Sequence, residues 1–174
     1  MKKRTIALSF AALSLSLSVS ANAATVNQDS TESLGTTFTF NYKNDPTYTI
    51  TIPSSVEIAR EGTQVDIVAE NVSNLDGQEI SVTIASTNYF RNQLVLSGKN
   101  ENGINRVMRY QIVTADGTLL ETTGEDTVTG SELAAFTADG TVSYTVKPVI
   151  AASTDKGVTY TGSMTYGIQL VDAE

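Results

Sequence analysis

The chain has 174 residues, 40% of them hydrophobic, and nineteen Asp and Glu outweigh eleven Lys and Arg for a formal net charge of −8. It contains no Cys, no His and no Trp. Disulfides, thiolate and imidazole metal sites, Ser-His-Asp and Cys-His catalysis and indole stacking on sugars are therefore excluded, and the acidic balance repels nucleic acid and anionic lipid.

The first four residues, Met1-Lys2-Lys3-Arg4, include three basic ones, a mostly apolar Ala, Leu, Ser, Val and Phe run follows, and Ala21-Asn22-Ala23 closes it. That order predicts a secretory signal peptide over residues 1–23. Cleavage there would leave 151 residues with eight basic against nineteen acidic, a net charge of −11. Such a length suits one domain with a real core. The Ser-rich run is too short and polar for a permanent membrane anchor. With no later apolar segment, no anchoring tail and no LPxTG-like signal, the protein is expected to be secreted or held at the cell surface, without membrane insertion after cleavage.

Residues 24–34 are polar with isolated Val26 and Leu34, as expected for a flexible N-terminal extension. A single domain is expected over residues 35–174. Phe38, Phe40 and Tyr42 alternate with Thr and Asn in TFTFNY. They read as the domain's own first strand or, in a polymerising subunit, as a strand donated to a neighbour. Lys43-Asn44-Asp45-Pro46 has turn chemistry, and Tyr48, Ile50 and Ile52 mark a strand that Pro53 stops. Val56 and Ile58 start a short segment. Val65, Ile67 and Ala69 alternate next, then Ile80, Val82 and Ile84, with Leu94 and Leu96 in a short run behind them.

Met108, Tyr110 and Ile112 lead into Ala115-Asp116-Gly117, a hairpin signal with Leu119 on the return. Leu133 to Phe136 reads as a single helical turn that Ser131 could cap. Val142, Tyr144 and Val146, and then Tyr160, Met164, Tyr166, Ile168 and Leu170, are two further alternating runs, expected to form a closing strand pair. No stretch is long enough for a crossover helix. The expectation is an all-β, antiparallel β-sandwich, immunoglobulin-like, of about 8–10 strands.

No motif for nucleotide, zinc or hydrolase chemistry stands in the sequence, so no catalytic residue, resident metal or cofactor is expected. The scattered carboxylates read as solvated surface. Calcium would need only oxygen ligands; Glu125-Asp126 with Glu132, or Asp76 with loop carbonyls, are the places for it, although neither follows the EF-hand pattern. Tyr89-Phe90-Arg91-Asn92 is the candidate binding patch, because two adjacent rings at a strand end cannot both point into the core. Lys147 sits in an otherwise apolar run, where alternation opposite Val146 turns it outward and away from any Lys–Asn cross-link.

YTITIPSSVEI (Tyr48 to Ile58) and TYTGSMTYGIQLV (Thr159 to Val171) resemble the opening and closing strands of small secreted surface proteins of Gram-positive bacteria. Similar endings occur in WxL-type wall-associated proteins, fimbrial subunits and adhesins, although a chain without Trp has no WxL motif. The resemblance implies a non-enzymatic adhesion, surface-layer or fibre-assembly module, with other surface proteins, host or cell-wall glycans, or further copies of itself as partners. A carbohydrate- or calcium-dependent extracellular binding module is the alternative.

Overall fold

The computed structural model describes residues 39–40, 42–151 and 154–173. The expected signal peptide, the 24–34 extension and Phe38 lie outside them. The chain divides into two units, Met1–Asn41 and Tyr42–Glu174, and the architecture below is that of the second.

Among the described residues nine strands follow in chain order: β1 (Thr47–Thr51), β2 (Thr63–Ser73), β3 (Gln78–Thr87), β4 (Val95–Lys99), β5 (Asn105–Val113), β6 (Leu119–Leu120), β7 (Glu132–Phe136), β8 (Gly140–Val149) and β9 (Met164–Asp172). They form two antiparallel sheets. One has the order β1-β2-β8-β5-β4 with β6 paired to β5; the other has the order β7-β3-β9. The all-β, antiparallel two-sheet expectation is met.

Period-2 alternation explains the layering. Val65, Ile67 and Ala69 on β2 and Ile80, Val82 and Ile84 on β3 are buried, as are Tyr110 and Ile112 on β5 and Tyr144 and Val146 on β8. Residues two apart on a strand share a face, so each sheet turns one apolar face to the other and the intervening positions to solvent. The β5–β6 hairpin forms at Ala115-Asp116-Gly117 as its sequence predicts, with Gly117 at φ 87°. The Asp116 carboxylate accepts bonds from the Thr114 hydroxyl and from the Thr118 N–H and hydroxyl. Those bonds hold its pKa down at about 2.

Four expectations change. Thr39, Phe40 and Tyr42 are not in a strand, and the first described strand is β1. Val56 and Ile58 belong to an irregular segment between β1 and β2. Glu132–Phe136 is strand β7 rather than a helical turn, because pairing with β3 overrides the helix preference of Leu-Ala-Ala. The two closing runs do not pair: β8 lies between β2 and β5, while β9 pairs with β3 in the opposite sheet. They meet across the interior instead, where the Tyr144 and Tyr166 hydroxyls are 2.6 Å apart.

Candidate functional site

Two surfaces stand out, and the sequence pointed to one of them. Phe90–Asn92 forms a short 3-10 turn between β3 and β4. Tyr89 is half-buried, whereas Phe90 is 72% exposed, so one ring faces inward and one outward. Arg91 and Asn92 both have positive φ, 56° and 53°, a conformation that non-glycine residues hold only when neighbours fix it. The fixing contacts are visible. Asn92 accepts from the Thr87 N–H at 3.2 Å and donates to the Thr129 hydroxyl at 2.9 Å. The Arg91 guanidinium lies 5.2 Å from the Phe90 ring centroid and 2.9 Å from Glu125. The predicted patch thus presents an outward-facing ring with a cation near its face.

The carboxylates suggested for calcium are not brought together. Glu125 pairs with Arg91, Asp126 accepts from the Thr123 N–H and hydroxyl, Glu132 accepts from the Ser81 hydroxyl, and Asp76 pairs with Lys43 at 3.1 Å. Among the described residues no three acidic side chains group as metal ligands would. Lys147 is exposed, as its place in the alternation requires.

The second surface was not anticipated. A cleft of about 770 Å³ opens where the irregular Pro53–Ile58 segment faces the start of β9; Tyr110, Tyr144, Tyr160, Met164 and Tyr166 line it. That volume is ordinary for a binding cavity. Burial, with a smaller contribution from Tyr166, pushes the Tyr110 phenol up to about 12. Tyr144 is also raised, first by burial and then by its bond to Tyr166. Both phenols are therefore neutral at physiological pH. The cleft offers apolar surface and neutral hydroxyls, with Glu57 the one charged residue in its lining. Such a lining suits apolar or aromatic side chains and main-chain amides.

The edge of β9 borders this cleft. Ile84 donates its N–H to the Ser131 carbonyl and accepts from the Gly130 N–H, so both of its main-chain groups point away from β9. Its partner on β9 is Tyr166. An antiparallel pair that does not exchange bonds directs the main-chain groups of both residues outward. The same register joins Val82 to Ile168 and Ile80 to Leu170. Tyr166, Ile168 and Leu170 therefore present N–H and C=O on the outer side of β9. The bond from the Ala173 N–H to the Gly77 carbonyl fits this phase, with odd-numbered positions turned towards β3.

No strand among the described residues pairs with that outer side. The β4 edge differs: Ser97 exchanges bonds with Thr161, so the chain leading into β9 covers it. Gly98 permits that approach, since a Cβ there would clash with the Thr159 carbonyl oxygen. Sequence reasoning missed the cleft because its walls come from segments about 100 residues apart, and the one local signal was Pro53-Ser54-Ser55 interrupting an alternating run.

Comparison with known proteins finds no matching family model, no matching curated protein and no matching solved structure. The functional reading rests on the chain itself.

Proposed function

We propose that this protein is a non-enzymatic module of the cell surface or extracellular space that works by joining other polypeptides, as an adhesion, surface-layer or fibre-assembly unit. The observation that carries this reading is the outer side of β9, which no strand among the described residues pairs with and which runs beside an apolar cleft. An exposed sheet edge is a template for another extended chain; its hydrogen bonds supply affinity, and pockets for alternate side chains supply selectivity.

An immunoglobulin-like reading of the sandwich belongs with this proposal. β1, β2 and β8 on one sheet against β3 and β9 on the other parallel strands A, B and E against C and F, and in that arrangement a strand G lies outside F. The corresponding position here is the outer side of β9.

Light scattering on eluting chromatographic fractions over a range of concentrations tests the reading. Growth from monomer to oligomers with concentration is expected; a strict monomer that also captures no extended peptide would overturn it.

One observation favours a second reading, a glycan-binding module: the exposed Phe90 ring with Arg91 beside its face. Phe90→Ala would then abolish binding on a glycan array while leaving the melting temperature unchanged. An array with no binding to the unaltered chain would remove this reading.

A further inference from the structure

We infer that the cleft between Pro53–Ile58 and the start of β9 is a site for a small organic cation. The ligand is an alkylated ammonium group on an apolar or aromatic body, held by tyrosine rings and the Glu57 carboxylate.

Three observations select that ligand. The first is the makeup of the walls. Tyr110 and Tyr144 are buried, and Tyr160, Tyr166, Met108 and Met164 stand half-buried around the same space. Beyond the effect of burial, Tyr166 raises the pKa of both Tyr110 and Tyr144, which places three phenols together. Aromatic faces attract a cation through their quadrupole, and Met side chains adapt to irregular apolar shapes. The volume of about 770 Å³ leaves room for an apolar body beside the charged group.

The second is charge. Glu57 is exposed on the irregular segment and makes no ion pair among the described residues. The lining contains no Lys or Arg, so Glu57 gives it a single negative charge within a chain of net charge −8. A cation is drawn to such a place and an anion is repelled. A metal ion fits poorly, because calcium takes about six to eight oxygen ligands and one carboxylate lines the cleft.

The third is the state of the hydroxyls. Those of Tyr144 and Tyr166 bond to each other at 2.6 Å, and that of Tyr160 accepts from the Asp155 N–H at 3.2 Å. A primary ammonium brings three N–H donors that need acceptors, and three of the four phenols here already have a partner. A fully alkylated ammonium has no N–H to satisfy and is served by ring faces.

The test is a charge series on one ring. Benzyltrimethylammonium, benzyl alcohol and benzoate are each titrated calorimetrically into the full chain. The cation is expected to bind about tenfold more tightly than the alcohol, and benzoate not at all. Equal or tighter binding of the alcohol or of benzoate overturns the cation assignment, as does an absence of binding by all three. Proton NMR reads the geometry, since N-methyl groups held over ring faces move upfield. N-methyl signals that stay in place or move downfield overturn the part given to the rings.

Two positions locate the site. Glu57→Gln is expected to weaken the cation about two- to fivefold and leave the alcohol unchanged, as suits an exposed charge. An unaltered cation affinity overturns the part given to Glu57. Tyr160→Leu keeps an apolar wall without the ring and is expected to cost about tenfold, whereas Tyr160→Phe keeps the ring and is expected to bind like the parent. A Tyr160→Leu chain that melts like the parent and binds equally well overturns the aromatic wall. So does a folded Tyr160→Phe chain that no longer binds.

Discussion

β3 and β9 are neighbours in one sheet and carry the same alternating signature, yet they have different physical roles. β3 has a strand on each side, and Ile80, Val82 and Ile84 are completely buried. Among the described residues β9 has one neighbour, and Met164, Tyr166 and Leu170 on its core side are only partly covered. Hydrophobic periodicity specifies which face of a strand turns inward; the number of neighbours decides how completely that face is buried. An interior strand is therefore fully packed, while an outer strand with the same pattern leaves part of its apolar surface in contact with solvent.

The largest test of this contrast is a pair of truncations. Ile84→Ala is expected to cost about 2–5 kcal/mol, because a fully packed site loses transfer energy and gains a cavity. Leu170→Ala is expected to cost less, about 1–2 kcal/mol, since part of its surface already meets solvent. Urea unfolding with unchanged m-values would measure both; equal losses would erase the distinction.

Gly98→Ala comes next, at about 1–3 kcal/mol. Its new methyl group would meet the Thr159 carbonyl oxygen, which is backbone and cannot swing aside. The segment that covers β4 should then lift, and hydrogen exchange should speed up at the Ser97 and Thr161 amides. An unaltered exchange pattern there would show that β4 is not held covered by this contact.

The smallest effect sharpens the comparison at the tyrosines linking the sheets. Tyr110 titrates at about 12 in the folded chain against 10 for a free phenol, so between those values the folded state holds a proton that the unfolded state has released. Stability is fully present below pH 10 and falls as pH rises, by about 1.4 kcal/mol per unit for this group. Tyr144, raised in the same direction, adds to the fall. Unfolding midpoints that stay constant up to pH 12 would contradict the burial of these hydroxyls.

Much of this fold was legible because its strongest signals are local. Val65, Ile67 and Ala69, and Ile80, Val82 and Ile84, sit in the interior as their spacing requires, and Ala115-Asp116-Gly117 turns as its residues require. The errors share one cause, since pairing partners are chosen by distant parts of the chain. Val158 to Ser163 continues the alternation of β9, but Thr161 bridges to Ser97 in the other sheet, so the strand proper begins at Met164. Leu133 to Phe136 has helix-forming residues and becomes a strand because β3 offers it an edge. At the candidate sites, it was legible that one ring of the Tyr89-Phe90 pair must face outward; that the ring is Phe90 was not. The cleft was not, because no single stretch of sequence contains it.

The anchoring of the chain before β1 has a mechanical consequence. Lys43 pairs with Asp76, the Asn74 side chain donates to the Asp45 carbonyl, and β1 then runs antiparallel along β2 with Thr47 opposite Ser73. A pull on Tyr42 directed along the strand axis loads the hydrogen bonds between β1 and β2 together, in shear, instead of opening them one by one. Tension carried through this end would meet the ladder in its stiff direction.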